Sequence, residues 1–119
     1  MNFSVLKKAL AAAMRGKQPE RRAHPRVRMR VNVKLRGTDS GGKKFEELTA
    51  TKSLSAAGFL CPCVATLVKG ALVEVFLVSG DRERYAGRAH VVRRETDAPW
   101  PRYGFQFCEI TPEWVMQPA

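Results

Sequence analysis

The sequence is poor in cysteine and histidine, and it has no long hydrophobic run. Cys61, Cys63 and Cys108 are an odd set in a chain of 119 residues, so they predict reduced thiols rather than a disulfide framework. A zinc site needs about four ligands at ordered spacing, and the only histidines are His24 and His90. No apolar stretch approaches the ~20 residues of a membrane span, and the first residues lack a secretory pattern. These absences favour a cytoplasmic protein without a transmembrane segment, a metal or another cofactor.

Acidic residues are almost missing from the first third of the chain. Residues 1–36 hold eleven Lys and Arg against one acid, Glu20, whereas residues 37–119 hold ten basic and ten acidic residues. The whole net charge of +10 therefore lies in the N-terminal arm and the first predicted strand. A general nucleic-acid coat spreads its charge over a face, so this distribution favours a localised anionic partner.

The first 19 residues have the pattern of a basic amphipathic helix and a linker. Phe3, Leu6, Leu10 and Met14 recur at spacings of three and four, which predicts a helix over residues 2–15. Such a helix docks on its own domain, on a partner or on an anionic membrane surface, and the sequence leaves these alternatives open. We therefore divide the chain into a helix and linker, residues 1–19, and one β-domain, residues 20–119.

The β-domain alternates between apolar and polar residues at the spacing of β-strands. After Val27, apolar residues such as Val33 and Leu35 share one face, and basic or polar residues occupy the other. Six strands joined mostly by short turns predict a mainly β fold, an antiparallel β-barrel or rolled sheet. Thr111-Pro112-Glu113 predicts the start of a short C-terminal helix. The predicted strands are Val27–Arg36, Lys43–Ser53, Gly58–Cys63, Ala71–Ser79, Arg82–Glu95 and Arg102–Glu109.

Two of these strands carry more detailed expectations. The strand over Ala71–Ser79 is nearly all apolar apart from Glu74, which predicts a central and buried position. Gly87 lies inside the long strand Arg82–Glu95 and predicts a β-bulge or bend there.

Three arginines, Arg21, Arg22 and Arg26, lie within six residues directly before the first predicted strand. An arginine presents a planar fork of donors that grips a phosphate or the O6/N7 edge of guanine with two hydrogen bonds at once. Lysine cannot make that paired contact. The cluster is therefore a candidate anion or nucleotide clamp, although this stretch taken alone is better explained as a solvated basic linker.

Two motifs about 30 residues apart resemble the sequence signature of PilZ domains. Arg22-Ala23-His24-Pro25-Arg26 gives the pattern R-x-x-x-R, and Ser53-Leu54-Ser55-Ala56-Ala57-Gly58 is similar to the element D/N-x-S-x-x-G. The late strands, over residues 87–94 and 103–107, fit the same family. The likeness extends from about Glu20 to Ile110, which is most of the chain.

This resemblance implies a six-stranded PilZ-like split barrel that binds the bacterial second messenger cyclic di-GMP. Arg22 and Arg26 would then grip guanine edges and phosphates, Ser55 would donate its hydroxyl, and Gly58 would let the backbone turn closely beneath the ligand. In this family an arginine directly before the first motif accompanies binding of two stacked ligand molecules, and Arg21 fills that position. The implied role is a receptor that changes its N-terminal arm and regulates a protein partner in motility, biofilm or exopolysaccharide output.

Ser53 departs from the family pattern, because that position usually holds Asp or Asn. A carboxylate accepts from both guanine N1–H and N2–H, whereas a hydroxyl is a neutral acceptor with one oxygen. Losing one charged contact costs about 1.5–3 kcal/mol, roughly one to two orders of magnitude in affinity, unless Arg21, Arg93 or Arg94 compensates. Ser53 thus supports an alternative hypothesis, a degenerate PilZ adaptor that binds no nucleotide and acts by protein–protein interaction.

Two further functions fit the sequence less well. A nucleic-acid binder would use the basic arm, but aromatic residues are not interleaved with its arginines for base stacking. An enzyme would need a base near a nucleophile, and neither Ser53 nor Ser55 has a histidine at a spacing that indicates one. The pattern favours a nucleotide-binding module over an enzyme.

Overall fold

The computed structural model describes residues 26–95 and 100–114. Within these ranges the chain forms seven β-strands and no helix, so it contains no helical segment that spans a membrane. The strands are β1 (Asn32–Thr38), β2 (Lys44–Ala50), β3 (Ser53–Leu54), β4 (Gly58–Pro62), β5 (Leu72–Ser79), β6 (Arg82–Glu95) and β7 (Arg102–Ile110).

The seven strands form one antiparallel sheet in the order β2-β1-β5-β6-β7-β4-β3. The two edge strands, β2 and β3, are separated in sequence only by Thr51 and Lys52, so the sheet must curl until its edges approach each other. Val27 and Leu54 form an isolated bridge with backbone hydrogen bonds of 2.8 and 2.9 Å, which links the segment before β1 to β3. The result is a half-barrel, and the predicted mainly β, rolled antiparallel architecture is confirmed.

The core fills the inside of this curled sheet. Alternate residues of β1 and β5 are almost completely buried, as the period of two along a strand requires. Each such Val or Leu stabilises the fold by about 1.5–3 kcal/mol on burial. Residues exposed by 1% or less on these two strands are Val33, Leu35, Val73, Val75 and Leu77.

An aromatic cluster occupies one side of the core, beneath β4 and β7. Phe59 stacks on Phe105 with ring centroids 5.0 Å apart, and Trp114 lies 5.3 Å from Phe59 and 4.9 Å from Phe107. Trp114 is completely buried. Large aromatic rings packed in this tilted geometry give β4 and β7 a rigid support.

The first strand begins later than the alternation predicts, at Asn32 rather than Val27. The cause is Thr51, whose hydroxyl donates to the carbonyl of Met29 at 2.7 Å and accepts from the amide of Val31 at 2.9 Å. A side chain thus replaces main-chain partners, and the regular ladder is interrupted over residues 28–31. The predicted inward face is nevertheless correct, because Val31 is buried and Met29 packs against the core.

The predicted second strand is divided in the structure. Residues 43–53 were expected to form one strand, but the chain breaks at Thr51 and Lys52 into β2 and the two-residue β3, which gives seven strands instead of six. Residues 111–114 form a turn, so no helix begins at Thr111 within the described residues. The predicted N-terminal helix lies outside the described residues, as do the last five positions.

Strand β6 matches the prediction from end to end, and its predicted bulge is confirmed. Gly87 has a φ of 138°, and the register with β5 shifts beside it, so that Ala86 is the extra residue. Strand β5 is central, as expected, but it alternates between buried and partly exposed residues. Leu72 is 52% exposed, so the expected burial of β5 holds for its alternate residues Val73, Val75 and Leu77 and not for the whole strand.

The three cysteines are free thiols, of which Cys61 and Cys63 are buried and Cys108 is exposed. Glu47 accepts hydrogen bonds from the amides of Val64 and Ala65, at 2.6 and 3.1 Å, and from the Cys63 thiol at 3.3 Å. These bonds tie β2 to the loop that follows β4. Burial and the neighbouring Glu47 carboxylate raise the pKa of Cys63 to about 12, so this thiol stays protonated at neutral pH.

Candidate functional site

A surface cleft of about 450 Å³ lies over the neighbouring strands β3, β4, β7 and β6. Arg26 and residues 53–55 line one side of it, and residues 92–93 line the other. Residues 57–59 and 104–106 lie between these two walls. Segments that are far apart in the sequence therefore meet at this one surface.

The sheet register gives the first row of residues across the cleft. Ser53 pairs with Leu60, Leu60 with Gly104, and Gly104 with Arg93. Because neighbouring strands lie about 4.8 Å apart, Ser53 and Arg93 stand on opposite sides of the cleft, roughly 14 Å apart at the backbone. Gly104 itself contributes no side chain to this row.

A second row runs parallel to the first. The amide of Ser55 donates to the carbonyl of Gly58 at 2.9 Å, and Gly58 pairs with Gln106 on β7. Gln106 in turn pairs with His90 on β6. Ser55 and Gln106 therefore lie on either side of Gly58, and both line the cleft.

The tight turn from Ser55 to Gly58 is held by its own hydrogen bonds and by the core. The Ser55 hydroxyl oxygen accepts from the amide of Ala57 at 3.1 Å, and the carbonyl of Ala57 accepts from Phe107 at 2.8 Å. Trp114 Nε1 donates to the carbonyl of Ser55 at 2.9 Å. Within the described structure the Ser55 O–H makes no donor hydrogen bond, so it is available to a ligand in the cleft.

Gly58 is required by the close packing of two neighbouring strands. It does not have a positive φ, so it supplies no conformation that other residues resist. Instead, a Cβ added to Gly58 would overlap the carbonyl oxygen of Phe105 on β7. The glycine allows β4 to approach β7 closely beneath the cleft.

The opposite wall is made by a β-bulge in β6. The register between β6 and β7 shifts from Val91 to Arg93, so Val92 is an extra residue and both Val92 and Arg93 face the cleft. A Cβ added to Gly104 would lie 3.4 Å from the Cβ and 3.7 Å from the Nε of Arg93, so the Arg93 side chain extends over Gly104. Glu95 holds the Arg93 guanidinium at 3.1 Å.

The charge at the cleft is positive. Arg26 and Arg93 line it, and no acidic residue is among its described lining. Glu95, which pairs with Arg93, also binds Arg102 at 3.0 Å, so its charge is shared between two arginines. Elsewhere in the described ranges, no group of three or more His, Cys, Asp or Glu side chains is arranged to hold a metal ion.

The structure brings together four of the six residues that the sequence singled out as a site. Arg26, Ser53, Ser55 and Gly58 all line the cleft. Arg21 and Arg22 lie outside the described residues. Of the other two arginines considered as compensation for Ser53 besides Arg21, Arg93 lines the cleft and Arg94 does not.

Sequence reasoning missed Gln106. The alternation along this strand could have indicated it. Gln106 lies between Phe105 and Phe107, whose side chains point inward, so the Gln106 side chain points outward. What the sequence did not show is that β7 lies beside β4. That pairing places Gln106 next to Gly58.

The described chain is a small curled β-sheet with two arginines and two serines gathered in one surface cleft. The family profile of the PilZ domain matches residues 20–114, and the chain belongs to this family. The resemblance that the two motifs suggested is thereby confirmed.

Solved structures agree on the fold. The inhibitor of motility MotI/DgrA from Bacillus subtilis superimposes with a TM-score of 0.62 at 18% sequence identity, over 80% of this chain and 46% of the other. The PilZ domain of YcgR from Escherichia coli, solved with c-di-GMP, gives a TM-score of 0.52 at 16% identity, over 78% of this chain and 82% of the other. The chain thus spans about half the length of MotI/DgrA. A comparison with curated protein sequences found no match.

Proposed function

We propose that this protein is a cytoplasmic receptor for cyclic di-GMP, a binding module without catalytic activity. One observation carries the proposal: Arg26 and the turn from Ser53 to Gly58, which hold parts of the two PilZ motifs, line the same cleft. The ligand has two phosphates and two guanine O6/N7 edges, which are acceptors suited to arginine forks. Arg26 and Arg93 supply such forks from opposite walls, and the Ser55 O–H supplies a donor between them.

One protein with a similar fold has been solved with the proposed ligand. The PilZ domain of YcgR was solved with c-di-GMP and has a similar fold over most of its length. At 16% identity this likeness concerns the fold, so the support for the ligand comes from the residues of the cleft.

The arm before the cleft would carry the response. Arg22 and Arg26 close over the ligand, Arg21 favours two stacked ligand molecules, and the closure moves the N-terminal helix that presents a surface to a protein partner. A change of surface that depends on ligand contacts is how a binding domain regulates a partner. By this hypothesis the output is motility, biofilm or exopolysaccharide production.

Isothermal titration with cyclic di-GMP tests the receptor. We expect micromolar or tighter binding with two ligands per chain, and at least a tenfold loss for Arg26→Ala or Arg22→Ala, because each removes a charge-assisted contact of about 1.5–3 kcal/mol. Arg82→Ala is the matched control, since Arg82 is exposed at the far hairpin and does not line the cleft. Absence of binding heat with the wild-type protein at high concentration would contradict the proposal.

A second hypothesis rests on Ser53, which lines the cleft where the family pattern has Asp or Asn. By this hypothesis the chain is a PilZ adaptor that binds no nucleotide and acts through protein contacts. Ser53→Asp discriminates between the two: if only this variant binds cyclic di-GMP, the natural protein is an adaptor.

A further inference from the structure

The polar side chains that line the cleft offer few of the hydrogen-bond acceptors that selective binding of guanine would use. Ser53, Ser55 and Gln106 each carry both a donor and an acceptor, whereas Arg26 and Arg93 are donors only. No carboxylate is present among the described lining residues. A side chain that accepts hydrogen bonds but never donates them is therefore missing from this part of the cleft.

That missing group is the one that distinguishes guanine from adenine on the Watson–Crick edge. Guanine presents two donors there, N1–H and N2–H, and a carboxylate can accept from both. Adenine presents the N1 acceptor at the same place, and a carboxylate facing it would leave two acceptors opposed and unpaired, which is costly when water is excluded. A carboxylate thus rejects adenine, and its absence removes that rejection.

Gln106 is placed to bind either purine. It is exposed on β7, next to Gly58 and across the cleft floor from Ser55, and its side chain makes no hydrogen bond within the described structure. Nothing in that part of the chain therefore fixes which way its amide turns. In one orientation the amide pairs with guanine O6 and N1–H, and in the reversed orientation it pairs with adenine N1 and the N6 amino group.

The two arginines of the cleft distinguish guanine from adenine only in part. A fork from Arg26 or Arg93 makes two hydrogen bonds to guanine O6/N7 but only one to adenine, whose N6 is a donor. The same forks bind the two phosphates, which are identical in guanine and adenine cyclic dinucleotides. Replacing one guanine by adenine therefore removes one contact and leaves the rest.

We infer that the cleft accepts mixed cyclic dinucleotides, with one guanine and one adenine, in addition to cyclic di-GMP. This inference rests on the proposed function and concerns the selectivity of the same cleft. Ser53 and the Gln106 side-chain amide, whose orientation no hydrogen bond of the described structure fixes, are the features that make the site permissive. Introducing a carboxylate at either position makes the site selective for guanine.

The test is isothermal titration of the full chain with cyclic di-GMP and with cyclic GMP-AMP. We expect the wild-type protein to bind cyclic GMP-AMP within about tenfold of cyclic di-GMP, because a single arginine–base contact separates them. Ser53→Asp and Gln106→Glu should each widen that ratio by about tenfold or more. Ser40→Asp is the matched control: it adds the same charge in the exposed turn between β1 and β2, outside the cleft, and should leave the ratio unchanged.

The outcomes separate the two proposals. Binding of cyclic di-GMP with a loss of more than about a hundredfold for cyclic GMP-AMP would overturn the permissive cleft and leave the receptor intact. The permissive cleft would also be overturned if Ser53→Asp and Gln106→Glu both leave the affinity ratio of the two nucleotides unchanged. Both variants must show the thermal unfolding of the wild type for this conclusion. If neither nucleotide binds, the receptor proposal and this inference both fall.

Discussion

Trp114 donates its indole N–H to the carbonyl oxygen of Ser55 at 2.9 Å, across 59 positions of sequence. Ser55 belongs to the turn that lines the cleft, and Trp114 is completely buried among the aromatic residues beneath it. The hydrogen bond therefore fixes the cleft turn to the core. The geometry of the candidate site depends on a residue that does not line it.

Replacing Trp114 by Phe should loosen this turn. The change leaves the buried Ser55 carbonyl without its indole donor, which costs about 1–3 kcal/mol of unfolding free energy. Urea unfolding measures that loss, and titration with cyclic di-GMP should show weaker binding. Trp100→Phe is the matched control, because Trp100 is 66% exposed. Equal stability of the two variants would contradict the role of the hydrogen bond.

Gly58→Ala should be strongly destabilising. The new methyl group would overlap the Phe105 carbonyl, so β4 and β7 must separate, at about 3 kcal/mol of unfolding free energy. Gly104→Ala should be tolerated, since the nearest atom to its new methyl group is the Arg93 Cβ at 3.4 Å, an ordinary van der Waals contact. Thermal unfolding of both variants tests the contrast. Similar melting temperatures would show that β4 and β7 do not need this close approach.

Arg93 and Arg94 allow a test of the bulge in β6. If the bulge at Val92 is what directs Arg93 into the cleft, Arg93→Ala should weaken cyclic di-GMP binding by about tenfold, the loss of one charged contact. Arg94→Ala changes the net charge equally but does not alter the cleft lining, so its affinity should stay within about twofold of the wild type. Equal losses would mean that only overall charge matters.

The three thiols should differ in reactivity. The thiolate is the reactive form, and burial raises the pKa of Cys61 and Cys63 above the ordinary value of 9.0. At mildly alkaline pH a thiol reagent such as iodoacetamide should therefore label the exposed Cys108 in the folded protein and all three cysteines in urea. Mass spectrometry counts the labels. Rapid labelling of Cys63 in the folded protein would contradict its burial.

The raised pKa of Cys63 also predicts how stability depends on pH. The unfolded chain releases this proton near pH 9.0, whereas the folded chain holds it until about pH 12. Between these values the unfolded state binds fewer protons, so the free energy of unfolding falls as the pH rises. Below pH 9.0 this contribution is fully present. Cys63→Ala should make the free energy of unfolding fall less steeply with pH, and Cys108→Ser should leave its slope unchanged. Urea unfolding at increasing pH measures both slopes.

Local patterns predicted most of the strands. The hydrophobic alternation located β5, β6 and β7 within about one residue, and Gly87 marked the bulge in β6. Predictions failed where a side chain changed the backbone pairing, as Thr51 does by replacing main-chain partners of residues 29 and 31. Alternation counts apolar residues along one segment and contains no information about a hydrogen bond to a hydroxyl 20 positions away.

The amino-acid sequence alone determined the family, the curled antiparallel sheet and the concentration of charge before the first strand, because motifs, alternation and charge are local properties. Only the tertiary structure placed Arg26, Ser53 and Ser55 opposite Arg93 and Gln106 in one cleft. That arrangement depends on the pairing of β4 with β7 and of β7 with β6, and on a one-residue bulge at Val92. Strand neighbours and register follow from long-range packing of the whole sheet, and a shift of one residue would turn Gln106 inward.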